Sequence, residues 1–355
     1  MALDLLRVKL ALSLGSFRLD LAFEVRPGET VALVGPSGSG KSTCIAAVAG
    51  LLLPDSGRVS LGDEMWCDTD TGTDLPPRKR HVGFVHQDYA LFPHLTVRGN
   101  VTYGARARGE GRAVSLSKAN EWIERLGIVE LADRPVRELS GGQRQRVALA
   151  RALASGARVL LLDEPFGSLD ASTRAAVRSE LRTFLADVRL PAVFVTHDAT
   201  DALMLAERIS VLEDGRLSQT GTSEELLARP QTRFVADLFG LNYYRAVLAP
   251  GRGLREARVG SVVFHLMTDH DGSVALAFPP SAVTLSSDRP TGSAQNSFRG
   301  HVREILPLPD RIRVVLDCGV TMAADVVREA AVTLDLDPGR TLWGSVKATA
   351  IQVYP

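Results

Sequence analysis

An α/β domain followed by a small all-β domain is the fold class this sequence predicts, and three observations support it. Gly35-Pro36-Ser37-Gly38-Ser39-Gly40-Lys41-Ser42-Thr43 fits the phosphate-cradling pattern G-x-x-x-x-G-K-[ST]. Short apolar runs at 159–162 and 192–196 end on Asp163-Glu164 and His197-Asp198, as buried strands do at the ligand-binding edge of a parallel sheet. From about Leu241 onward helix patterning nearly vanishes, and short alternating strands separated by Gly, Asp and Pro take over.

At 355 residues the chain suits two or three domains, and its 45% apolar content is ordinary for a globular protein. Lys and Arg number 41, as do Asp and Glu, so the formal charge is zero and no basic excess marks a nucleic-acid binder. The three cysteines, Cys44, Cys67 and Cys318, are far apart and form no C-x-x-C pair, which predicts reduced, structural thiols in a cytosolic protein. The first fifteen residues alternate like a strand, so no signal peptide is expected. No apolar run approaches the ~20 residues that cross a bilayer. Work at a membrane would need a partner that spans it.

Residues 3–25 read as two alternating strands that meet near Leu14-Gly15-Ser16, and Arg26-Pro27-Gly28-Glu29 turns the chain into the strand 30–34. The glycine loop follows, then a helix over 44–53 that Pro54 stops. In this setting the backbone N–H groups and the helix N-terminus hold phosphate, Lys41 reaches the terminal phosphates and Ser42 holds Mg²⁺. A strand and turn at 59–63, a polar loop at 68–80 and a buried strand at 81–87 come next. The segment 87–97 is an apolar, aromatic loop. Tyr89 and Phe92 either pack inward or present a surface to a partner.

Residues 100–135 read as helical, broken at GARARGEGR. Ser140 is a good N-cap for the run that follows, and Gly141 and Gly142 leave its first N–H groups bare, a second anion site. The chain does not readily bring that site to its own phosphate loop, so it suits the phosphate of another copy. Asp163 is placed to bind Mg²⁺ and Glu164 to polarise an attacking water. A helix is expected at 171–188, and His197 closes a further buried strand at a sheet edge where nucleotide sites form. The other histidines, at 81, 86, 94, 265, 270 and 301, lack metal-ligand spacing and receive no chemistry. Short helices at 223–228 and 232–239 precede the change of texture. Beyond it a small β-barrel is expected, with a polar loop over 286–297 and a single helical stretch at 326–334.

GPSGSGKST, Gln87, LSGGQ, VLLLDEP, SLD and VTHD, in this order and on these flanks, resemble the ATP-binding cassette (ABC) ATPase family over residues 3 to about 240. The resemblance implies two domains, an ABC-type P-loop ATPase over 1–240 and an OB-like barrel over 241–355. It implies ATP and Mg²⁺ as cofactors. It assigns Gly35, Pro36, Ser37, Gly38, Ser39, Gly40, Lys41, Ser42 and Thr43 to the phosphates, and Ser42, Gln87 and Asp163 to the metal. Ser140, Gly141, Gly142 and Gln143 form the signature, Asp170 lies in the D-loop, and Glu164, His197 and Gln87 carry the catalytic work. Family members usually stack adenine on an aromatic residue near Leu14; Phe17 is the nearest aromatic here. The family's head-to-tail homodimer would sandwich two ATPs between P-loop and signature. A cassette followed by a barrel is similar to bacterial importer ATPases. That implies two transmembrane permease subunits, an extracytoplasmic solute-binding protein and a peripheral place on the cytoplasmic face of the inner membrane. No nucleic acid is implied.

The closing stretch, from Asn296 through Lys347-Ala348-Thr349-Ala350, is most similar to the Mop domain of molybdate importer ATPases. Gln295 stands where that family tends to carry Arg, in Ser293-Ala294-Gln295-Asn296, which removes a bidentate oxyanion donor. Two roles for the barrel stay open, oxyanion binding and dimerisation alone. For the solute, molybdate or tungstate leads, with sulfate, ferric iron, polyamine and sugar as alternatives. A non-transport ABC ATPase and an oxyanion sensor are the readings of another class.

Overall fold

Alternation decides the first sheet. β1 (Leu6–Leu14) and β2 (Phe17–Val25) bury one apolar face each and pair antiparallel around Gly15, whose φ of 59° suits a tight hairpin. β3 (Thr30–Val34) is buried at every residue, as a strand covered on both faces must be. It feeds the glycine loop and α1 (Lys41–Ala49). β4 (Ser56–Leu61), β5 (Glu64–Asp68) and β6 (Thr73–Asp74) complete an antiparallel sheet in the order β2-β1-β4-β5-β6. The structure is a computed structural model, which describes residues 4–167, 169–291 and 295–355, the side chains of 171 and 172 apart.

β7 (Val82–Val85) leads through α2 (Val97–Ala107), α3 (Arg112–Arg125) and α4 (Gly141–Ala154) to β8 (Val159–Asp163). Then come α5 (Ala171–Val188), β9 (Ala192–Val195), α6 (Ala199–Leu205), β10 (Arg208–Glu213) and β11 (Arg216–Gly221). The central sheet runs β11-β10-β3-β9-β8-β7, parallel from β10 to β7, with β11 antiparallel at its edge. Its register sets Asp163 opposite Val195, so the ends of β8 and β9 lie side by side. One apolar core fills the space among the two sheets and α1, around Leu33, Ile45, Val48, Trp66 and Val193. A second lies among α2, α3 and α4, around Val101, Ile123, Val147 and Ala150.

Several expectations are corrected here. The expected polar loop 68–80 begins inside β5 and carries β6 and a 3-10 turn, Pro77–Lys79. β5 was hidden because it alternates poorly, yet Trp66 and Cys67 are buried within it. The helical stretch 100–135 starts earlier, at Val97, where Thr96 caps it by accepting from Gly99 N–H at 3.1 Å. It ends at Arg125, and a 3-10 turn, Val129–Leu131, replaces the rest.

The chain divides into two compact units at 223/224, seventeen residues before the change of texture. α7 (Ser223–Ala228) opens the second unit and α8 (Arg233–Leu238) follows. β12 (Asn242–Leu248), β13 (Leu254–Val259), β14 (Val262–Met267), β15 (Gly272–Phe278) and β16 (Thr284–Ser286) come next. After them come β17 (Asn296–Pro307), β18 (Ile312–Asp317), β19 (Thr321–Val326), α9 (Arg328–Thr333), β20 (Thr341–Val346) and β21 (Gln352–Tyr354). These strands form three open sheets, ordered β12-β15-β21, β13-β14 and β16-β20-β17-β18-β19, around one core that includes Tyr244, Phe264, Phe278, Val314 and Leu342. α8 belongs to this unit by contact as well: Ala236 packs with Tyr243, Ala275, Ala277 and Tyr354.

Candidate nucleotide site

The loop after β3 turns through Gly38 at φ 80° and Gly40 at φ 101°. A Cβ on Gly40 would lie 2.7 Å from Phe17 Cζ, so only glycine lets the loop close against β2. Lys41 is 8% exposed and folds over the loop, donating from Nζ to Gly35 O at 2.9 Å and Pro36 O at 2.8 Å. Burial lowers its amine below the ordinary lysine range, against the opposing pull of Glu164 and Asp163. Ser42 Oγ donates to Asp163 Oδ1 at 3.1 Å. Burial raises the Asp163 carboxyl, the Ser42 hydroxyl draws it down, and the charge of Glu164 raises it further.

Glu164 leaves the end of β8 in the left-handed region, at φ 43°. Its N–H donates to Val195 O at 3.1 Å, and its carbonyl accepts from Gly167 N–H at 2.9 Å. The carboxylate Oε1 lies 3.1 Å from Nδ1 of His197, whose ring is mostly exposed. Gln87 joins this group: a Cβ on Gly167 would lie 3.4 Å from Gln87 Nε2 and 3.3 Å from Glu164 Oε2, so both side chains flank that glycine. A cleft of about 500 Å³ opens among His86, Gln87, Asp88, Asp163 and Gly167. Asp170 accepts from Thr173 N–H at 3.0 Å at the start of α5.

Thr43 is half-buried in the first turn of α1. Among the described residues Ser39 Oγ, buried within the loop, has no hydrogen-bond partner, an orphaned polar atom that fits a phosphate-bearing ligand. Phe17, half-buried, lines a second cleft of about 510 Å³ with Arg18, Pro36, Ser37, Asp214 and Arg216, while Leu14 is 46% exposed. Lys41, Ser42, Gln87, Asp163, Glu164 and His197 are therefore gathered into one place.

Ser140–Gln143 make a local arrangement of their own. Ser140 Oγ accepts from Gln143 N–H at 3.3 Å and Gln143 Oε1 accepts from Ser140 N–H at 2.9 Å, a capping box at the head of α4. Among the described residues no hydrogen bond or ion pair joins them to the phosphate loop. In the second unit Asn296 is buried and spends its amide on the backbone of His265, accepting at 2.5 Å and donating at 3.1 Å. Lys347 is exposed. Ser168, Ser293 and Ala294 lie outside the described residues.

Sequence reasoning passed over His86 and Asp198. His86 borders the cleft together with Asp163 and directly follows β7, so a strand-end signal like that of His197 would have found it. Asp198 caps α6 through Thr200 and Asp201 N–H and pairs with Arg174 at 3.2 Å. Arg174 also donates to Phe166 O at 3.2 Å, which ties the β9 end to the turn after Glu164.

A glycine loop on the central strand, with a serine and a strand-end carboxylate pair beside it, defines the first unit as a P-loop nucleoside triphosphatase. Residues 19–167 match the ABC transporter family and residues 292–353 match the TOBE domain. The molybdenum import ATP-binding protein ModC of Mycobacterium tuberculosis is 40% identical over 353 residues, covering 95% of this chain and 94% of its own. The molybdate/tungstate import ATP-binding protein WtpC of Pyrococcus horikoshii is 35% identical, covering 95% of each. The sulfate/thiosulfate import ATP-binding protein CysA of Nocardia farcinica is 38% identical, covering 95% of this chain and 94% of its own. The chain belongs to the ABC transporter ATP-binding family: an α/β ABC ATPase domain followed by an all-β TOBE domain. It is an ABC transporter ATPase. Among the described residues no helix is long and apolar enough to cross a membrane.

Proposed function

We propose that this chain is the energy-coupling ATPase of an importer for a tetrahedral oxyanion, molybdate or tungstate, working as a head-to-tail homodimer. Similarity to molybdate and tungstate import ATPases along nearly the whole chain, TOBE domain included, is the observation that carries the solute. The site supports the chemistry. Loop N–H groups and Lys41 would hold the β- and γ-phosphates, with Ser42, Asp163 and Gln87 placed for Mg²⁺, which neutralises phosphate charge when bound. Glu164 polarises the attacking water and His197, 3.1 Å from it, orients the carboxylate and meets the γ-phosphate. Ser140–Gln143 and Asp170 serve the partner's nucleotide, and Phe17 flanks the base. By sequence texture the ATPase is assigned 1–240 and the barrel-like domain 241–355, while the helices of 224–238 pack with the second compact unit.

The partners that follow are two permease subunits, docked near 87–96, and an extracytoplasmic solute-binding protein. The chain itself then stays peripheral on the cytoplasmic face of the membrane. Regulation by oxyanion in the second domain is not part of this reading, because Asn296 is occupied by His265 and Gln295 replaces an arginine. Similarity to the sulfate/thiosulfate relative over 339 residues favours a second reading, sulfate import. Deleting the gene decides between them. Loss of molybdate-dependent enzyme activity at trace molybdate, with rescue by high molybdate, is expected. A sulfur requirement in its place would establish the second reading.

A further inference from the structure

Two stretches of strained backbone lie beside the candidate site, and one hydrogen bond joins them. Tyr89 and Ala90 hold φ of 65° and 42°, and Glu164 holds 43°. Such left-handed conformers cost residues with a Cβ on the order of 1–3 kcal/mol each, so surrounding contacts must hold them. Tyr89 is 1% exposed; its hydroxyl donates to Pro165 O at 3.2 Å and its N–H to His86 O at 2.8 Å. Arg151, on α4, donates to Tyr89 O at 2.7 Å and Ala90 O at 2.6 Å, and its guanidinium carbon lies 5.5 Å from the centre of the Phe92 ring. Asn100, fully buried on α2, pins the far side of the loop through Phe92 N–H, Phe92 O and Thr96 O.

A tyrosine that merely fills a core satisfies its hydroxyl on any nearby carbonyl and needs no strained backbone. Here the strain, the arginine and the hydroxyl all point at one route. α4 begins at Ser140–Gln143, Arg151 takes its position to the carbonyls of the strained pair, and the hydroxyl of that pair ends on the residue that follows Glu164. Glu164 is itself clamped on its other side by Gly167 N–H.

We propose that Tyr89 is a positioning residue whose hydroxyl fixes the Pro165 carbonyl in the turn that follows Glu164, aiming the carboxylate at His197, and that Arg151 sets Tyr89 from α4. This rests on Glu164 as the water-polarising group proposed above.

The test uses the full-length chain. Tyr89→Phe removes one oxygen, and kcat for ATP is expected to fall about tenfold, the weight of one well-placed hydrogen bond, with KM within about twofold. Arg151→Met removes both donors to the Tyr89 and Ala90 carbonyls, and a similar fall is expected. The double variant should fall no further than either single one, as members of one chain of contacts do. A readout independent of turnover is hydrogen exchange at Gly167 N–H, expected to quicken about tenfold in Tyr89→Phe through loss of that one bond. Wild-type kcat and unchanged Gly167 exchange in Tyr89→Phe overturn the proposal. So does multiplication of the two single effects, or a rise in KM alone. Glu164→Gln separates the layers. Near wild-type turnover there removes Glu164 from its role, whereas failure confined to Tyr89 and Arg151 leaves that role standing.

Discussion

At the scale of single residues, burial changes chemistry more than charge does. Cys44 sits in α1 with no exposure, and burial pushes its thiol up to about 12 from an ordinary 9.0. The folded chain keeps that proton where the unfolded chain loses it, so folding is opposed as pH rises through the unfolded thiol range. The expected result is a loss of stability between about pH 9 and pH 12 that shrinks in Cys44→Ala. Urea midpoints of both proteins at pH 8 and 10.5 check this, and equal losses would sink it. Burial raises the thiols of Cys67 and Cys318 too, so thiol reagents should reach none of the three at neutral pH without denaturant.

At the scale of elements, Arg80 shows what a sequence hides. It is wholly buried beneath α1, donating to Ala47 O at 3.0 Å, Val48 O at 2.9 Å, Leu75 O at 2.7 Å and Asp74 Oδ1 at 2.9 Å. The last carbonyls of a helix lack intrahelical partners, and this guanidinium supplies them. Arg80→Met should cost about 1–3 kcal/mol, because Val48 O and Leu75 O lose this donor and half-exposed Asp74 loses its partner; thermal unfolding measures it, and no loss at all would refute the role. From sequence, Arg80 was one cation in a polar loop. The phosphate loop, β3, β8, β9 and the Ser140 cap were legible because each is set by neighbours in sequence: apolar runs, turn glycines, a serine three residues before a glutamine. The 3.1 Å approach of Glu164 to His197 was not, since it depends on parallel register between β8 and β9. The second unit was legible as β-rich, but its division into three open sheets depends on pairings far apart in sequence, such as β17 with β20.

At the scale of the whole molecule, the proposed sharing of each nucleotide between Ser140–Gln143 of one copy and the phosphate loop of the other sets the stoichiometry. If each nucleotide is held by both copies, Lys41→Ala and Ser140→Arg damage opposite halves of one composite site. Each variant alone should lose about a hundredfold or more in turnover, the scale of removing one transition-state donor. Mixing them leaves heterodimers with one undamaged site, so activity well above either component is expected in the mixture. A mixture no more active than its parts would count against shared sites. The second unit has a consequence of another kind. Its last strand returns to its first helices: Tyr354 Oη donates to Pro230 O at 2.7 Å, and β21 pairs with β15 beside β12. Residues 230 and 354 are thus neighbours in space, so a bond joining the chain there, with a new opening at a distant turn, needs no stretching of the backbone. Chain order inside the unit is therefore separable from its packing: the same contacts close whichever turn is left open.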